Sequence, residues 1–227
     1  MRFEDLNWFD VQSYLTNDDR LMLVFGSCEQ HAYLSLLTDV AIPLVLADAA
    51  SKITGIPIAP PLNFGSSPYF LGYPGTLSLR ASTLLNVVED LIRSAHGQGF
   101  TRFLIINGHG GNEGAKTRLY ELANELPGIR ISWYAWWQSH SVIQIAQKHE
   151  LKSGHASWLE AFSFVRVSDL PSGEKKPPAV TGLMNKDDAR QIYEDGSFGG
   201  PYSASEEIMQ EIFSAALEDI LLMLEFN

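Results

Sequence analysis

The sequence predicts an α/β fold, with a mostly parallel central sheet flanked by helices, in a single domain over residues 1–227. Two observations indicate this class. Short apolar runs typical of buried strands, at 21–25 and 103–106, alternate with segments whose apolar residues recur at helical spacing. No internal repeat or linker divides the chain, and a hydrophobic content of 45% supplies a substantial core.

The predicted elements follow in order along the chain. After the strand at 21–25 comes a helix at 41–55, and then a short strand and a long loop rich in proline and glycine at 56–76. The next predicted elements are a helix at 82–96, a strand at 103–106, a helix at 112–125, a strand at 129–137, a polar helix at 139–150 and a strand at 161–167. A segment rich in Pro, Gly and Ser at 168–205 precedes a closing amphipathic helix with apolar positions between 208 and 224.

Composition argues against several classes of function. The formal net charge is −11 and no basic block occurs, so nucleic acid is not an expected partner. No segment reaches the ~18 apolar residues that a membrane span needs, and the N-terminus lacks the features of a signal peptide, which predicts a cytoplasmic protein. Cys28 is the only cysteine, which excludes an internal disulfide and fits a reducing compartment.

Three polar segments follow predicted strands or lie near one, where α/β proteins commonly place their sites. The candidate groups are Glu29, His31 and Asp39 after the first strand, His109 in "NGHGGN" (107–112) after the second, and His155 and Glu160 in "GHASWLE" (154–160). Each group has an ordinary alternative role, since such histidines usually pack or face solvent and glycine turns occur without function. Glu29 and His31 are stronger as a pair, because side chains two residues apart on an extended segment share a face.

Taken together, two imidazoles and three carboxylates form a set of N and O donors that suits Zn²⁺, Mn²⁺ or Fe²⁺. The set is large enough for two ions if one carboxylate bridges them. Without a cation, the same carboxylates would repel one another and their pKa values would rise.

Two other features are open to alternative interpretations. Cys28 and His31 could form a thiol hydrolase pair, although a small buried residue is the simpler interpretation of Cys28. The tryptophans at 133, 136 and 137 are interpreted as core residues or as part of a subunit interface.

The motifs "GSCEQH…TD", "YPGTLSL" (73–79), "NGHGGN" and "HASWLEA" resemble, in their order and spacing, those of the creatininase family of creatinine amidohydrolase-like proteins. The resemblance covers about 21–205, and "NGHGGN" after a strand is its most specific block. It implies an α/β domain with a two-metal site that hydrolyses a carbon–nitrogen bond in a small amide, cyclic amide, formamide or peptide. It also implies a homo-oligomer, a hexamer built from dimers.

The resemblance implies a role for each candidate ligand. Glu29 and His109 resemble the ligands of one metal, His31 and Glu160 resemble those of the other, and Asp39 would bridge the two. Two such cations, Zn, Mn or Fe, would hold a bridging water as hydroxide and polarise the substrate carbonyl.

The other candidate residues are expected around that centre. His155 resembles the family's catalytic histidine, which acts on the leaving nitrogen or steadies the tetrahedral intermediate. Ser67 resembles a serine that contacts the substrate, and Tyr69 is expected in the same pocket. We expect the backbone N–H groups of Gly110 and Gly111 to face the oxyanion or a substrate carboxylate, because this turn opens a helix.

The chain departs from the family pattern in two ways that concern the metal ligands and the loop beside them. Family members commonly read E-Q-H-G-P-H-L-P-L-G-T-D, whereas "EQHAYLSLLTD" is one residue shorter. Asp39 therefore lies eight residues after His31 rather than nine, and its bridging role requires a rearranged loop. In "HASWLEAF", Ser157 replaces a glycine of the usual H-A-G-x-x-E-T-S.

Other departures concern the substrate. Creatinine hydrolases carry a Trp, an Asp and an acidic residue where this chain has Leu151, Lys152 and Gly111. Relatives often read S-x-E-H where this chain has "SPYF". These differences predict a substrate other than creatinine, bulkier or more apolar in view of the aromatic residues Tyr69, Phe70 and Trp158. The alternative is a metal-binding but catalytically silent member that serves as a scaffold or regulatory partner.

Overall fold

The computed structural model describes residues 1–180 and 182–227 and confirms the predicted α/β class. Its main sheet has three parallel strands in the order β1 (Arg20–Phe25), β2 (Arg102–Asn107) and β3 (Arg130–Ala135). The segment at 57–62 runs parallel to β1 on its free side, where the Met22 N–H donates to Pro57 O (3.0 Å) and the Ala59 N–H donates to Met22 O (3.0 Å). The predicted short strand therefore exists as this extended edge segment.

Helices cover both faces of the sheet. They are α1 (Trp8–Tyr14), α2 (Thr38–Thr54), α3 (Ala81–Gly97), α4 (Ala115–Glu125), α5 (His140–Lys148), α6 (Lys186–Tyr193) and α7 (Glu206–Met223). A small antiparallel ladder joins β4 (Glu174–Lys175) to β5 (Gly200–Pro201). Within the described residues, no helix has both the length and the hydropathy needed to cross a membrane.

The core has two layers, because side chains on successive strand residues point to opposite faces of the sheet. Met22 and Val24 of β1 face the layer that contains α2, α5 and α7. Leu21 and Phe25 face the layer that contains α3 and α4. The sheet is thus buried on both sides, which explains why β1 and β2 read as continuous apolar runs rather than alternating ones.

Two sequence predictions about elements are wrong, one of them wholly and the other at one end. In place of the strand predicted at 161–167, the chain forms a 3₁₀ turn at Ser163–Val165. The apolar side chains of this segment pack into the core, while the backbone that follows Phe162 forms a hydrogen-bonded turn rather than a strand. The strand predicted at 129–137 ends at Ala135, and a further 3₁₀ turn follows it. The segment at 168–205, for which no element was predicted, contains α6, which begins where the Asn185 side chain accepts N–H groups of the first helical turn.

The parallel arrangement brings the carboxyl ends of the strands to one edge of the sheet. Residues 26–31, 63–67 and 108–111 all leave the sheet at this edge. The first turn of α2 packs tightly against it, since a Cβ at Gly108 would lie 1.9 Å from Asp39 O. The polar segments singled out in the sequence therefore meet at this edge.

Candidate active site

A buried cluster of carboxylates and imidazoles lies at the carboxyl edge of the sheet. Glu29 and His31 follow β1, Asp39 is in the first turn of α2, His109 follows β2, and Glu160 lies in the 3₁₀ turn Trp158–Glu160. Glu29 and His31 are each 1% exposed, and Asp39 is 3% exposed. All five residues predicted as metal ligands are therefore brought together.

Asp39 lies between the two imidazoles. One of its oxygens, Oδ1, is 2.9 Å from His31 Nε2, and the other, Oδ2, is 3.0 Å from His109 Nδ1. Glu29 Oε1 approaches the same nitrogen of His109 at 3.3 Å, and Glu160 Oε1 lies 4.0 Å from His31 Nε2. Two donor triplets share Asp39, one with Glu29 and His109 and one with His31 and Glu160, and a third triplet combines Glu29 and His31 with His155.

Backbone carbonyls fix the orientation of both rings. The Nδ1 of His31 donates to its neighbour, the carbonyl oxygen of Glu29 (3.2 Å), and the Nε2 of His109 donates to Ser66 O (2.9 Å). The Ser67 hydroxyl, itself paired with Ser27 Oγ at 2.6 Å, lies 3.2 Å from the same nitrogen of His109. Each ring therefore presents its other nitrogen to the carboxylates, as metal-binding histidines do.

Three buried atoms of the cluster, Glu29 Oε2, His31 Nε2 and Asp39 Oδ2, make no contact with hydrogen-bond geometry within the described residues, although the last two lie 2.9 and 3.0 Å from Asp39 Oδ1 and His109 Nδ1. An unsatisfied buried polar atom is costly, and a buried carboxylate needs positive charge nearby. All three atoms belong to residues of the donor triplets. The donor set therefore fits divalent cations of the kind that accept carboxylate and imidazole ligands.

The electrostatics of the cluster also indicate a need for positive charge. Burial alone would lower the pKa of His31, but the charges of Asp39, Glu160 and Glu29 raise it to about 10. The pKa of His109 is raised well above its ordinary value, because the charges of Glu29 and Asp39 outweigh its burial. Burial raises the pKa of Glu160 to about 7. The negative charge of the carboxylates can thus be balanced by protons on the two imidazoles, or by divalent cations that take the place of those protons.

His155 lies beside the cluster rather than within either shared triplet. Its Nε2 lies 2.9 Å from Gln30 O and 3.0 Å from Gln30 Nε2, and its Nδ1 is 3.7 Å from Glu29 Oε1. The imidazole lies 4.3 Å from the ring of His31 and stacks on Phe70 with a centroid separation of 4.6 Å. Burial, together with the charge of His31, lowers the pKa of His155 well below its ordinary value, which favours the neutral ring.

A cavity of about 490 Å³ opens onto the cluster and His155. The four residues predicted to contact the substrate all line it: Ser67, Tyr69, Gly110 and Gly111. The turn at Gly111 packs closely against the neighbouring loop, since a Cβ there would lie 1.9 Å from Ser66 O. The backbone of this turn is therefore exposed to the cavity without a side chain in the way.

Comparison with known proteins identifies the family. A family model described as creatinine amidohydrolase matches residues 4–224. The chain belongs to the creatininase family. The creatinine amidohydrolase of Pseudomonas putida is 29% identical over 156 residues, which are 62% of this chain and 60% of that enzyme. The mycofactocin precursor peptide peptidase of Mycobacterium tuberculosis is 26% identical over 211 residues, which are 88% of this chain and 82% of the peptidase.

Solved creatininases share the fold of this chain. A crystal structure of creatinine amidohydrolase (creatininase) superposes with a TM-score of 0.81 at 23% identity, covering 98% of this chain and 96% of the other. Two further structures, one described as a manganese creatininase and one as the zinc–zinc type of a creatininase variant, have TM-scores of 0.78 and 0.80.

The shortened loop of this creatininase-family chain still brings Asp39 to the centre of the cluster. The backbone turns sharply at Ala32, directly after His31, with φ = 50°. Leu34 then pairs with Arg166 in an isolated antiparallel bridge. The loop therefore reaches α2 in eight residues and still places one Asp39 oxygen beside each imidazole.

Two sequence predictions concern the surroundings of single residues, Trp158 and Cys28. Trp158 does not line the cavity, contrary to expectation, because it is fully buried in the core and its indole N–H donates to Lys152 O at 3.1 Å. Cys28 was expected to be a small buried residue but is only half-buried; its thiol lies 3.4 Å from Gly75 O, and burial raises its pKa, which disfavours the thiolate.

Sequence reasoning missed several residues that shape the cavity. Trp137 and Phe198 line it, although the tryptophan had been interpreted as core or interface and the phenylalanine lies in the segment rich in Pro, Gly and Ser. Gln30 holds His155 through its carbonyl group. The position of Gln30 inside the motif "EQH" could have indicated that it belongs to the site, whereas no pattern in the sequence indicates this for Phe198.

Proposed function

We propose that this chain is a metal-dependent amidohydrolase that binds two divalent cations and hydrolyses a carbon–nitrogen bond. One observation carries the proposal: two buried donor triplets share Asp39, and three of their atoms make no hydrogen bond within the described residues. The metals described for solved relatives, manganese and zinc, agree with a donor set of imidazoles and carboxylates.

The residues would divide between the two cations as the triplets divide. Glu29 and His109 would hold one cation, His31 and Glu160 would hold the other, and Asp39 would contribute one oxygen to each. When bound, the cations would supply Lewis acidity toward a carbonyl oxygen and would favour ionisation of water at neutral pH.

His155 would move the proton of the reaction. With its Nε2–H donated to Gln30 O, its Nδ1 would be free on the side of the ring that faces Glu29. The neutral ring would take a proton at Nδ1 from the attacking water as the water oxygen bonds to the carbonyl carbon. It would then give that proton to the amide nitrogen as the carbon–nitrogen bond breaks, which yields an acid and an amine.

The class of substrate follows from the residues that differ from those of creatinine hydrolases. The positions now occupied by Leu151, Lys152 and Gly111 lack the groups expected for creatinine. The relatives include both a creatinine amidohydrolase and a peptide peptidase by name, so the carbon–nitrogen bond can belong to an amide, a cyclic amide, a formamide or a peptide.

The metal content of the purified protein tests this proposal. After reconstitution with Zn, Mn or Fe, elemental analysis is expected to find two equivalents per chain, close to none in Asp39→Asn, and about one in Glu160→Gln. The control Glu218→Gln makes the same change at an exposed position of α7 and should retain both equivalents. A chain that binds no transition metal under any of these conditions would contradict the proposal.

Turnover separates an enzyme from a silent family member. Across a panel of amides, lactams, formamides and dipeptides, His155→Ala should lower kcat about 10²–10⁴-fold, the usual contribution of a general acid–base group, while metal content is retained. Cys28→Ala should leave activity unchanged. Two bound metals without turnover on any member of the panel would instead support a scaffold or regulatory role.

A further inference from the structure

Part of the cavity is formed by aromatic rings that flank His155. Phe70 stacks on the imidazole at 4.6 Å, and Phe198 lies 5.1 Å from it. Tyr69 meets Phe70 edge-on at 5.1 Å and Phe198 at 6.0 Å. We call Tyr69, Phe70 and Phe198 the aromatic wall. The metal cluster does not explain the presence of these three rings, and none of them is needed to position its ligands.

Contacts outside the cavity hold the aromatic wall in place. The backbone N–H of Phe198 donates to His155 O at 2.9 Å, and its ring stacks on Tyr193 at 4.2 Å. The Tyr69 hydroxyl donates to the Tyr193 hydroxyl at 3.0 Å. The wall is therefore formed before any ligand arrives, and a flat apolar group can bind to it with little loss of side-chain freedom.

The cavity offers no side-chain cation to a negatively charged substituent. Within the described residues, its lining contains neither Lys nor Arg. Lys175 lies nearby in the fold but is engaged by Asp195 and by Tyr193 O (2.6 Å). A carboxylate held against the aromatic wall would lose water and gain no partner there, which is unfavourable.

We propose that the substrate is an uncharged amide whose nitrogen carries an aromatic or other apolar substituent, which packs against the aromatic wall. This inference rests on the proposed function, because the wall flanks His155, the group that would return a proton to the leaving nitrogen. The substituent on that nitrogen is therefore the part of the substrate that lies closest to Phe70 and Phe198. The carbonyl group would face the position at which Glu29, Asp39 and His109 would hold a cation.

Binding of three related amides tests this assignment. N-benzylacetamide, N-methylacetamide and N-acetylglycine differ only in the substituent on nitrogen, which is aromatic, small or anionic. Isothermal titration of the metal-loaded protein should give a Kd for the benzyl compound about 10- to 100-fold lower than for the other two, since burial of a phenyl ring is worth that ratio. Steady-state kcat/KM on the same compounds should follow the same order if the chain hydrolyses them.

Phe198→Ala is the informative variant, because it removes one ring of the wall and leaves the ligands and His155 in place. The preference for the benzyl compound should fall to within about threefold of unity, corresponding to loss of the buried ring contact. Phe9→Ala is the matched control, since Phe9 is 62% exposed on α1 and does not line the cavity. It should keep the wild-type preference.

The outcomes separate this inference from the proposed function. Equal binding of the three amides, tighter binding of N-acetylglycine, or a preference that survives Phe198→Ala would overturn the inference even if the chain hydrolyses other amides. A benzyl preference that depends on Phe198, without turnover of any amide at full metal loading, would support the aromatic wall as a binding site and contradict the hydrolase.

Discussion

At the scale of single residues, Gln30 stands between two candidate ligands in the sequence but has a different task. Its side chain is 5% exposed, with Oε1 accepting from Ala32 N–H and Nε2 donating to Gly196 O, both at 3.0 Å. Its backbone oxygen lies 2.9 Å from His155 Nε2. One residue therefore ties together the end of β1, the imidazole of His155 and the loop that carries Phe198.

Gln30→Ala should lower the free energy of unfolding by about 2–3 kcal/mol, because it leaves buried backbone groups of Ala32 and Gly196 without partners. It should also lower kcat by roughly tenfold, since the loop beside His155 loses its anchor. The matched control Gln144→Ala, at an exposed position of α5, should change stability by less than about 0.5 kcal/mol. Urea unfolding and steady-state kinetics measure both effects, and equal behaviour of the two variants would contradict this role.

At the scale of elements, the junction of β1 and β2 with α2 determines where Asp39 lies. A Cβ at Gly26 would come within 2.7 Å of Asp39 O, and one at Gly108 would come within 1.9 Å of the same atom. The turns after both strands therefore pack directly against the first turn of α2. Glycine is required because only a residue without Cβ permits this approach of two backbones.

Gly108→Ala should destabilise the fold by about 2–3 kcal/mol and should reduce bound metal, because the new methyl group pushes the first turn of α2 away from His109. Gly97→Ala is the contrasting control: this glycine ends α3, and a Cβ there meets nothing within 4 Å. It should be neutral or stabilising by up to about 1 kcal/mol, as expected for alanine in a helix. Thermal unfolding and elemental analysis of the two variants test this contrast. It would be refuted if the two substitutions changed the stability in the same direction.

At the scale of the whole molecule, the two ends of the sheet balance their carboxylates differently. At the amino end, Asp18 pairs with Arg20 (2.6 Å) and Arg102 (3.1 Å), and Asp19 also pairs with Arg102. At the carboxyl end, the side chains that pair with the buried carboxylates of the cluster among the described residues are imidazoles. Permanent guanidinium charges stabilise the first end, whereas the second is balanced by groups that cations can displace.

The amino-end ion pairs predict a defined loss of stability in acid. Burial alone would raise the pKa of Asp18 and Asp19, but hydrogen bonds and charges from Arg20, Thr101 and Arg102 lower both pKa values below the ordinary 3.8. A carboxyl whose folded pKa is depressed stabilises the fold above its unfolded pKa and loses this contribution as the pH falls through the folded value. The contribution should therefore be complete above about pH 5 and should decrease as the pH falls below the ordinary pKa of the two carboxyls.

A double substitution, Asp18→Asn with Asp19→Asn, should lower the free energy of unfolding at pH 7 by about 1–2 kcal/mol, allowing for partial exposure to solvent. The difference from wild type should shrink steadily below about pH 4, because wild type loses the same ion pairs there. Asp169→Asn, at an exposed position, should give a curve parallel to wild type. Chemical unfolding between pH 2.5 and pH 7 tests this, and a difference that is constant with pH would contradict it.

The local sequence pattern was sufficient to predict the strands and the long helices but insufficient to predict the walls of the cavity. The apolar runs of β1 and β2 and the spacing of α3 and α7 are properties of contiguous residues, so they could be read directly. The segment at 161–167 shows the limit, since apolar residues that satisfy a strand pattern also satisfy a turn that fills a core. Phe198 lies far from His155 in the sequence, and no periodicity reports their contact.

The sequence by itself determined the fold class, the family resemblance and the five donors of the cluster, because these depend on residue type, order and local spacing. Only the tertiary structure decided that Asp39 lies between His31 and His109 despite the shortened loop, and that Tyr69, Phe70 and Phe198 form a wall beside His155. Distances between residues remote in the chain depend on how strands and helices pack, which the local pattern leaves open.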